Sequence, residues 1–384
     1  MKQKKNGLNR ILGLLSLIIL GALVGFFIGK MLNGNPSSTF PKEAKFALFA
    51  LLVPIFILVI AWHEGGHAVA GVAQGFDFKI YVVGPFMWEK QNGQWHFKWN
   101  ANVNTAGGLV VCLPTDTVNL AQRFTVFAAA GPFASLLLTV LSYSTYAIVF
   151  KNNTSTELST MVLSSFFLLT AVLSFVIFVA TAIPFQTGGF YTDGARVLRL
   201  QQGGEKAQFD ILMLKAVTNS SIGLRPKLMN TNELEEALAI AKRINEPFGV
   251  YLHGYLHQVA FDKNDLEDAE KHLQNYVNEV DNIPEGIKNG VWLDAAFFYA
   301  FGRKDLAQAE HFLSQYKPSP IVPKAQILAT EAAFNYLKND FDTALLKINK
   351  ALKELPNMMD KGVGVALENK LTQLKSEIEG TANR

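Results

Sequence analysis

The chain has 384 residues, of which 49% are hydrophobic and 17% charged, with a net charge of +3. This composition indicates a protein that lies partly in lipid, and its length allows two or three structural units. The small net charge does not favour a nucleic-acid partner. The single cysteine, Cys112, excludes an internal disulfide and a cysteine-rich zinc site, and its apolar surroundings are typical of a core thiol.

The N-terminal region begins with a basic segment, which precedes an apolar run from Ile11 to about Leu32. This run is long for a signal peptide and no small-residue cleavage site follows, so an uncleaved transmembrane helix is favoured. Positive charge before the helix predicts that residue 1 lies in the cytosol. We therefore predict an N-terminal unit over residues 1–43, consisting of a transmembrane helix and an outer loop.

A second apolar helix is predicted from about Ala44 to Ala73, and it carries the H-E-x-x-H pattern at His63, Glu64 and His67. Helical spacing places the two histidines on one face, where their imidazoles can bind one zinc ion, and Glu64 can serve as general base. Ionisable groups at membrane depth are costly unless they are compensated, and a bound cation supplies the compensation. The alternative is three polar side chains at a helix end in the headgroup region.

A catalytic zinc site needs a third protein ligand, and Asp193 is the best candidate. It follows another apolar span, in a segment where Pro184, Gly188 and Gly189 break the helix. Irregular backbone at membrane depth is tolerated where it lines a cavity or is buried in protein. The alternative is that Asp193 only caps the helix that follows it.

Strands are predicted between Phe76 and about Pro114, with an Asn-Gly turn that is typical of a hairpin. After the turn, aromatic and polar residues alternate, so one face is aromatic and His96 lies on the solvated face. Tryptophan favours the membrane interface, which predicts a membrane-associated sheet at the cytosolic boundary. An edge strand of this sheet can pair with an extended substrate; the alternative is a hairpin that only covers the site.

Two more spans are predicted, from about Phe124 to Phe150 and from about Met161 to Ile183. Four spans place both termini in the cytosol. The fourth span ends on the cytosolic side, which brings Asp193 to the level of His63.

These motifs together resemble the site-2 protease family of intramembrane zinc metalloproteases. The resemblance rests on HEGGH, on Gly131-Pro132 and on the Pro184 to Gly194 element, and it covers about residues 44–200. It implies that His63, His67 and Asp193 bind zinc, that Glu64 activates water, and that the substrates are single-span membrane proteins or signal-peptide remnants. Thr181 and Ser135 stand where family members often carry asparagines that handle substrate, which puts substrate contacts in doubt.

The region 204–384 has soluble, helical composition and contains a repeated short motif. The four copies begin at Glu233, Asp265, Asp305 and Asp340, at intervals of about 32, 40 and 35 residues. This period is close to that of tetratricopeptide (TPR) helix pairs, and a plain helical bundle is the alternative.

The repeat region also contains a second pair of histidines with helical spacing, His253 and His257. No carboxylate stands between them in the H-E-x-x-H manner, so we do not predict a second metal site. His272 and His311 are predicted to lie on the surface.

The sequence thus predicts an all-α polytopic membrane protein with about four transmembrane helices and a small membrane-associated β-sheet, followed by a soluble α-helical TPR-like repeat domain. The predicted units are residues 1–43, a metalloprotease core over 44–203 with a β-hairpin region at 76–114, and a cytosolic domain over 204–384. The expected location is the cell membrane, multi-pass.

The expected partners are the lipid bilayer, a membrane-protein substrate with a transmembrane segment, and a protein bound by the repeats, with no nucleic acid. The cofactor is predicted to be zinc, although two histidines and one carboxylate also suit iron. The alternative function is a catalytically silent membrane scaffold that recruits partners through its cytosolic repeats.

Overall fold

A computed structural model describes residues 25, 29, 41–91, 93–100, 105–153, 155, 157–187, 190–283, 285–318 and 322–382. The predicted first span, Ile11 to Leu32, therefore lies outside the described residues except for Gly25 and Gly29. The chain divides into two compact units, Met1–Cys112 with Ala121–Gln201, and Leu113–Leu120 with Gln202–Arg384.

The first unit is built around long apolar helices. Helix α1 spans Lys42–Ala73, α2 spans Leu120–Thr145 and continues as a π-helix over Tyr146–Phe150, and α3 spans Leu158–Ala182. Each is long and apolar enough to cross a membrane. The described residues thus contain three of the four predicted spans, each within a few residues of its predicted bounds, and the total of four is not established.

The three long helices pack through apolar side chains. Leu48, Ile55 and Val59 of α1 form a buried cluster with Leu138 of α2 and Leu169 of α3. At the HEGGH segment the contact between α1 and α2 tightens: the Trp62 indole donates a hydrogen bond of 3.0 Å to the carbonyl oxygen of Ala134. This approach brings α2 alongside the two histidines of α1.

A four-stranded sheet follows α1, in the region where the sequence predicts strands. The strands are β1 at Phe76–Val83, β2 at Phe86–Gln91, β3 at Gln94–Trp99 and β4 at Leu109–Pro114. Their spatial order is β3-β2-β1-β4, so β3 and β4 form the edges. The β1–β2 and β2–β3 pairs are antiparallel.

The aromatic residues of the hairpin share one face of the sheet, as predicted. Trp88 stands opposite Phe97, and Phe86 stands opposite Trp99. Every residue of β3 is exposed, including His96, which agrees with its predicted place on the solvated face. Cys112 of β4 is buried against Phe76 and Phe127, which confirms the predicted core thiol.

The helix break predicted at Pro184 is present. After α3 the chain forms two short paired strands, β5 at Gln186–Thr187 and β6 at Phe190–Tyr191, and then helix α4 at Asp193–Gln202. The Thr192 hydroxyl donates a hydrogen bond of 2.8 Å to the carbonyl oxygen of Ile183, which ties the start of α4 to the end of α3.

The second unit is helical. Its helices are α5 (Gly204–Ser221), α6 (Thr231–Ile244), α7 (Val250–Asp262), α8 (Leu266–Asn278), α9 (Glu285–Phe297), α10 (Leu306–Gln315), α11 (Lys324–Leu337), α12 (Phe341–Glu354) and α13 (Lys361–Ala382). Consecutive helices pack in pairs, notably α7 with α8 and α11 with α12. The helical character predicted for this region is confirmed, whereas nothing in the fold establishes the TPR type.

The repeated motif marks the start of the second helix of a pair. Asp265, Asp305 and Asp340 are N-caps whose carboxylates accept a hydrogen bond from the amide three residues on, at 3.1, 3.0 and 3.2 Å. Four residues after each cap stands a fully buried alanine, namely Ala269, Ala309 and Ala344. The first copy differs, because α6 is capped by Asn230, three residues before the first residue of that copy, Glu233.

Three histidines of the second unit, His253, His257 and His272, are buried inside it. His253 and His272 are buried with their Nδ1 atoms 3.1 Å apart, and the Nδ1 atom of His257 lies 2.8 Å from the carbonyl oxygen of Ala269. The predicted surface position of His272 is therefore wrong, because it faces α7 from α8 and not solvent. His311 is exposed, as predicted.

Candidate metal centre

Three potential metal ligands converge in the first unit. The Nε2 atoms of His63 and His67 lie 3.4 and 3.3 Å from one carboxylate oxygen, Oδ2 of Asp193. Tetrahedral ligation with bonds of about 2.0–2.1 Å separates neighbouring donor atoms by roughly 3.4 Å. In the described part of the chain this is the one group of three or more such side chains close enough to hold a metal ion.

The three side chains lie on two helices, α1 and α4. His63 and His67 are one helical turn apart on α1, and both are buried. Asp193 is the first residue of α4, and it returns to α1 because the chain reverses through β5 and β6 after α3. The capping alternative for Asp193 is not what the structure shows, because the amide of Ala195 donates to the Thr192 hydroxyl at 3.3 Å. The Asp193 carboxylate instead faces both imidazoles.

The second nitrogen of each imidazole has its own oxygen partner. Nδ1 of His63 lies 2.9 Å from the hydroxyl oxygen of Ser135, and Nδ1 of His67 lies 2.8 Å from the carbonyl oxygen of Phe127. A carbonyl oxygen only accepts, so it fixes the proton of His67 on Nδ1. The lone pair of Nε2 then points toward Asp193, which is the tautomer that a metal ligand needs.

Helix α2, which carries both Phe127 and Ser135, also packs closely against His67. Gly131 of α2 lies against the imidazole of His67, and a Cβ at this position would overlap the ring. The glycine of the Gly131-Pro132 pair is therefore part of the wall of the candidate metal centre.

Glu64 stands beside the donor group and is not part of it. Its side chain is buried, and its carboxylate lies against Gly108, where φ is +108° and a Cβ would collide with it. On the adjacent face of α1, the Tyr81 hydroxyl donates a hydrogen bond of 2.6 Å to the carbonyl oxygen of Ala61. The sheet is thus attached to α1 at the level of Glu64.

The electrostatics of Asp193 favour its ionised form. Burial alone would raise the pKa of this carboxyl, but the adjacent imidazoles of His63 and His67 outweigh burial and hold the pKa below its usual range. An anionic oxygen between two imidazole nitrogens suits a divalent cation.

All four residues named from the sequence therefore lie together: His63, His67 and Asp193 as a donor group, with Glu64 adjacent. Three neighbours were missed, namely the Phe127 carbonyl, Gly108 and the role of Ser135. Position 135 was noted only as a departure from the family pattern, although it lies one helical turn after Gly131. The other departure, Thr181, donates its hydroxyl to the carbonyl oxygen of Ile177 in its own helix.

The fold and the site define a membrane protein with a candidate metal centre of two histidines and one carboxylate beside membrane-length helices. The chain belongs to peptidase family M50, whose family model matches residues 50–359. Members of this family are zinc-dependent metalloproteases, and the site-2 proteases are among them. Searches of curated proteins and of solved structures found no match.

Proposed function

We propose that this protein is a zinc metalloendopeptidase of the site-2 type, which cleaves membrane proteins within or near the bilayer. One observation carries the proposal: two imidazole nitrogens of the membrane-length helix α1 and the carboxylate oxygen of Asp193 converge at tetrahedral spacing, with a buried Glu64 beside them. A purely structural metal site has no need of that glutamate.

The chemistry divides among the residues of the site. His63, His67 and Asp193 would hold the ion, and bound zinc supplies a Lewis acid that polarises a carbonyl and lowers the pKa of water. Glu64 takes the proton of the attacking water and passes it to the leaving amine. Gly108 leaves room for that carboxylate because it has no side chain.

The substrate would lie extended along strand β4. The peptide bonds of a helix are shielded by their own hydrogen bonds, so a membrane segment must unwind before attack. Strand β4 supports this role because it is an edge strand and because it starts at Leu109, next to the glycine that contacts Glu64. An extended segment pairs with such an edge through main-chain hydrogen bonds.

The expected setting is the cell membrane, with several spans and with the helical unit in the cytosol. Three apolar helices support the membrane location. We also propose that the helical unit recruits a protein partner as a TPR-like adaptor. Its paired helices and the repeated pattern of N-cap and buried alanine support this role.

The alternative is a catalytically silent scaffold. The observation that favours it is Thr181, whose hydroxyl bonds to Ile177 and Phe178 of its own helix where relatives often carry a substrate-handling asparagine. A scaffold would keep its partners and its metal and would release no cleaved product.

Proteolysis separates the two functions. The full chain is co-expressed with a panel of tagged single-span membrane proteins and signal-peptide remnants, and cleavage is compared between wild type and Glu64→Gln. Loss of all cleavage in the variant, with zinc content unchanged, supports the protease. Cleavage that persists in Glu64→Gln excludes the mechanism, and no cleavage by wild type across the panel favours the scaffold.

A further inference from the structure

Ser135 occupies a position in α2 from which it contacts a candidate metal ligand in another helix. Its side chain is fully buried, and its hydroxyl oxygen lies 2.9 Å from Nδ1 of His63, which is 72 residues away in sequence. The imidazole of His63 is buried, so a proton on its Nδ1 needs an acceptor within the protein. The Ser135 hydroxyl is placed to be that acceptor.

The backbone carbonyl of Ser135, and not its hydroxyl, accepts hydrogen bonds from two neighbouring hydroxyls. The hydroxyl of Ser174 in α3 donates a hydrogen bond of 2.8 Å to the carbonyl oxygen of Ser135, and both residues are fully buried. Thr139, one turn along α2, donates to the same carbonyl oxygen at 2.9 Å. These polar contacts connect α1, α2 and α3 at the level of His63.

The two histidines are supported differently. His67 relies on a backbone acceptor, the carbonyl of Phe127, which no side-chain replacement removes. His63 relies on the side chain of Ser135 and also forms a hydrogen bond with the backbone of Gly131. A single side-chain replacement can therefore remove a partner of His63 but not the backbone partner of His67.

We propose that Ser135 is a positioning residue that orients His63 for metal binding, by accepting its Nδ1–H and leaving Nε2 free to ligate. Partners of this kind fix the tautomer and ring orientation of ligating histidines. Serine at this position is therefore matched to the metal centre, although relatives often carry asparagine there. The inference rests on the proposed function, because it requires the metal centre to be real.

The test measures metal binding and not proteolysis. The full chain in detergent is stripped with a chelator, and its Zn²⁺ affinity is measured by competition with a coloured chelator. The Co²⁺-loaded protein gives a visible spectrum that reports ligand geometry. The variants are Ser135→Ala, Ser135→Thr, which keeps the hydroxyl, and Thr139→Val and Ser174→Ala, which remove neighbouring hydroxyls without touching His63.

We expect Ser135→Ala to bind Zn²⁺ about 10- to 100-fold more weakly and to alter the Co²⁺ spectrum. Ser135→Thr should restore most of the affinity, and Thr139→Val and Ser174→Ala should stay within about threefold of wild type. Wild-type affinity and spectrum in Ser135→Ala would overturn the inference and leave the proposed function intact. An equal loss in Ser174→Ala would also overturn it, because general packing would then explain the effect. If wild type binds no Zn²⁺, the metal centre and this inference fall together.

Discussion

Gly131 of helix α2 lies directly against the imidazole of His67 on α1, so closely that a Cβ would overlap the ring. The residue pair joins the second and third predicted spans at the candidate metal centre. A sequence reading of Gly131-Pro132 predicts only that the helix can kink. The contact shows that Gly131 leaves room for the imidazole of His67, a candidate metal ligand.

Replacement of Gly131 by alanine should therefore displace His67 and weaken Zn²⁺ binding by roughly 10- to 100-fold, as expected when the surroundings of a metal ligand are disturbed. Equilibrium competition with a chelator measures the change. Gly290→Ala is the matched control, since a Cβ at Gly290 meets nothing within 4 Å. Unchanged affinity in Gly131→Ala would show that His67 does not ligate through Nε2, the ring atom nearest to the added Cβ.

Removal of the carboxylate should empty the centre. We expect about one zinc per chain in purified wild type and little or none in Asp193→Ala or His67→Ala, measured by elemental analysis. The control is His96→Ala, which removes an exposed histidine of β3. Zinc that disappears with His67→Ala and persists in Asp193→Ala would move the third ligand elsewhere.

Much of this architecture follows from local patterns in the sequence. The apolar runs predict α1, α2 and α3, the Asn-Gly dipeptide predicts the β2–β3 hairpin, and helical spacing predicts that His63 and His67 share a face. Asp193 could be predicted from the sequence because the order of the spans brings the end of α3 to the level of His63 on α1. These are properties of single elements or of their order along the chain.

The missed features depend on how helices meet. Ser135 contacts His63 across 72 residues, and Gly108 contacts Glu64 through a loop conformation with positive φ. No periodicity encodes such contacts. The repeated motif also fails to mark one helix start. Its first copy begins at Glu233, three residues after the N-cap of α6, Asn230.

That offset gives a prediction for the helical unit. Asn230 accepts from the amides of Asn232 and Glu233 at 3.1 and 3.4 Å. Asn230→Ala should cost about 1 kcal/mol at the start of α6, and Asp305→Ala should cost a similar amount at the start of α10. Hydrogen exchange of the first-turn amides should rise by about fivefold in each variant. Glu235→Ala, an exposed change within the motif, should leave exchange in the first turn almost unchanged.

A buried carboxyl makes the stability of the helical unit depend on pH. Asp294 of α9 accepts a hydrogen bond from the amide of Gln326 on α11. Burial, reinforced by the carboxylate of Asp360, raises the pKa of Asp294 to about 7. An unfolded aspartate has a pKa of about 3.9, so between pH 4 and pH 7 the folded state binds more protons than the unfolded state. Stability therefore falls as the pH rises through this range, by at most about 4 kcal/mol.

Asp294→Asn removes the charge and keeps an oxygen that can accept from Gln326. The variant should melt at a higher temperature than wild type at pH 8, and the difference should shrink toward zero as the pH approaches 4. Thermal unfolding of the full chain, followed by circular dichroism at several pH values, measures the difference. Asp281→Asn is the matched control, because the side chain of Asp281 is 96% exposed. Its melting temperature should differ from that of wild type by the same small amount at every pH. A constant difference between Asp294→Asn and wild type at every pH would show that Asp294 ionises normally in the folded protein.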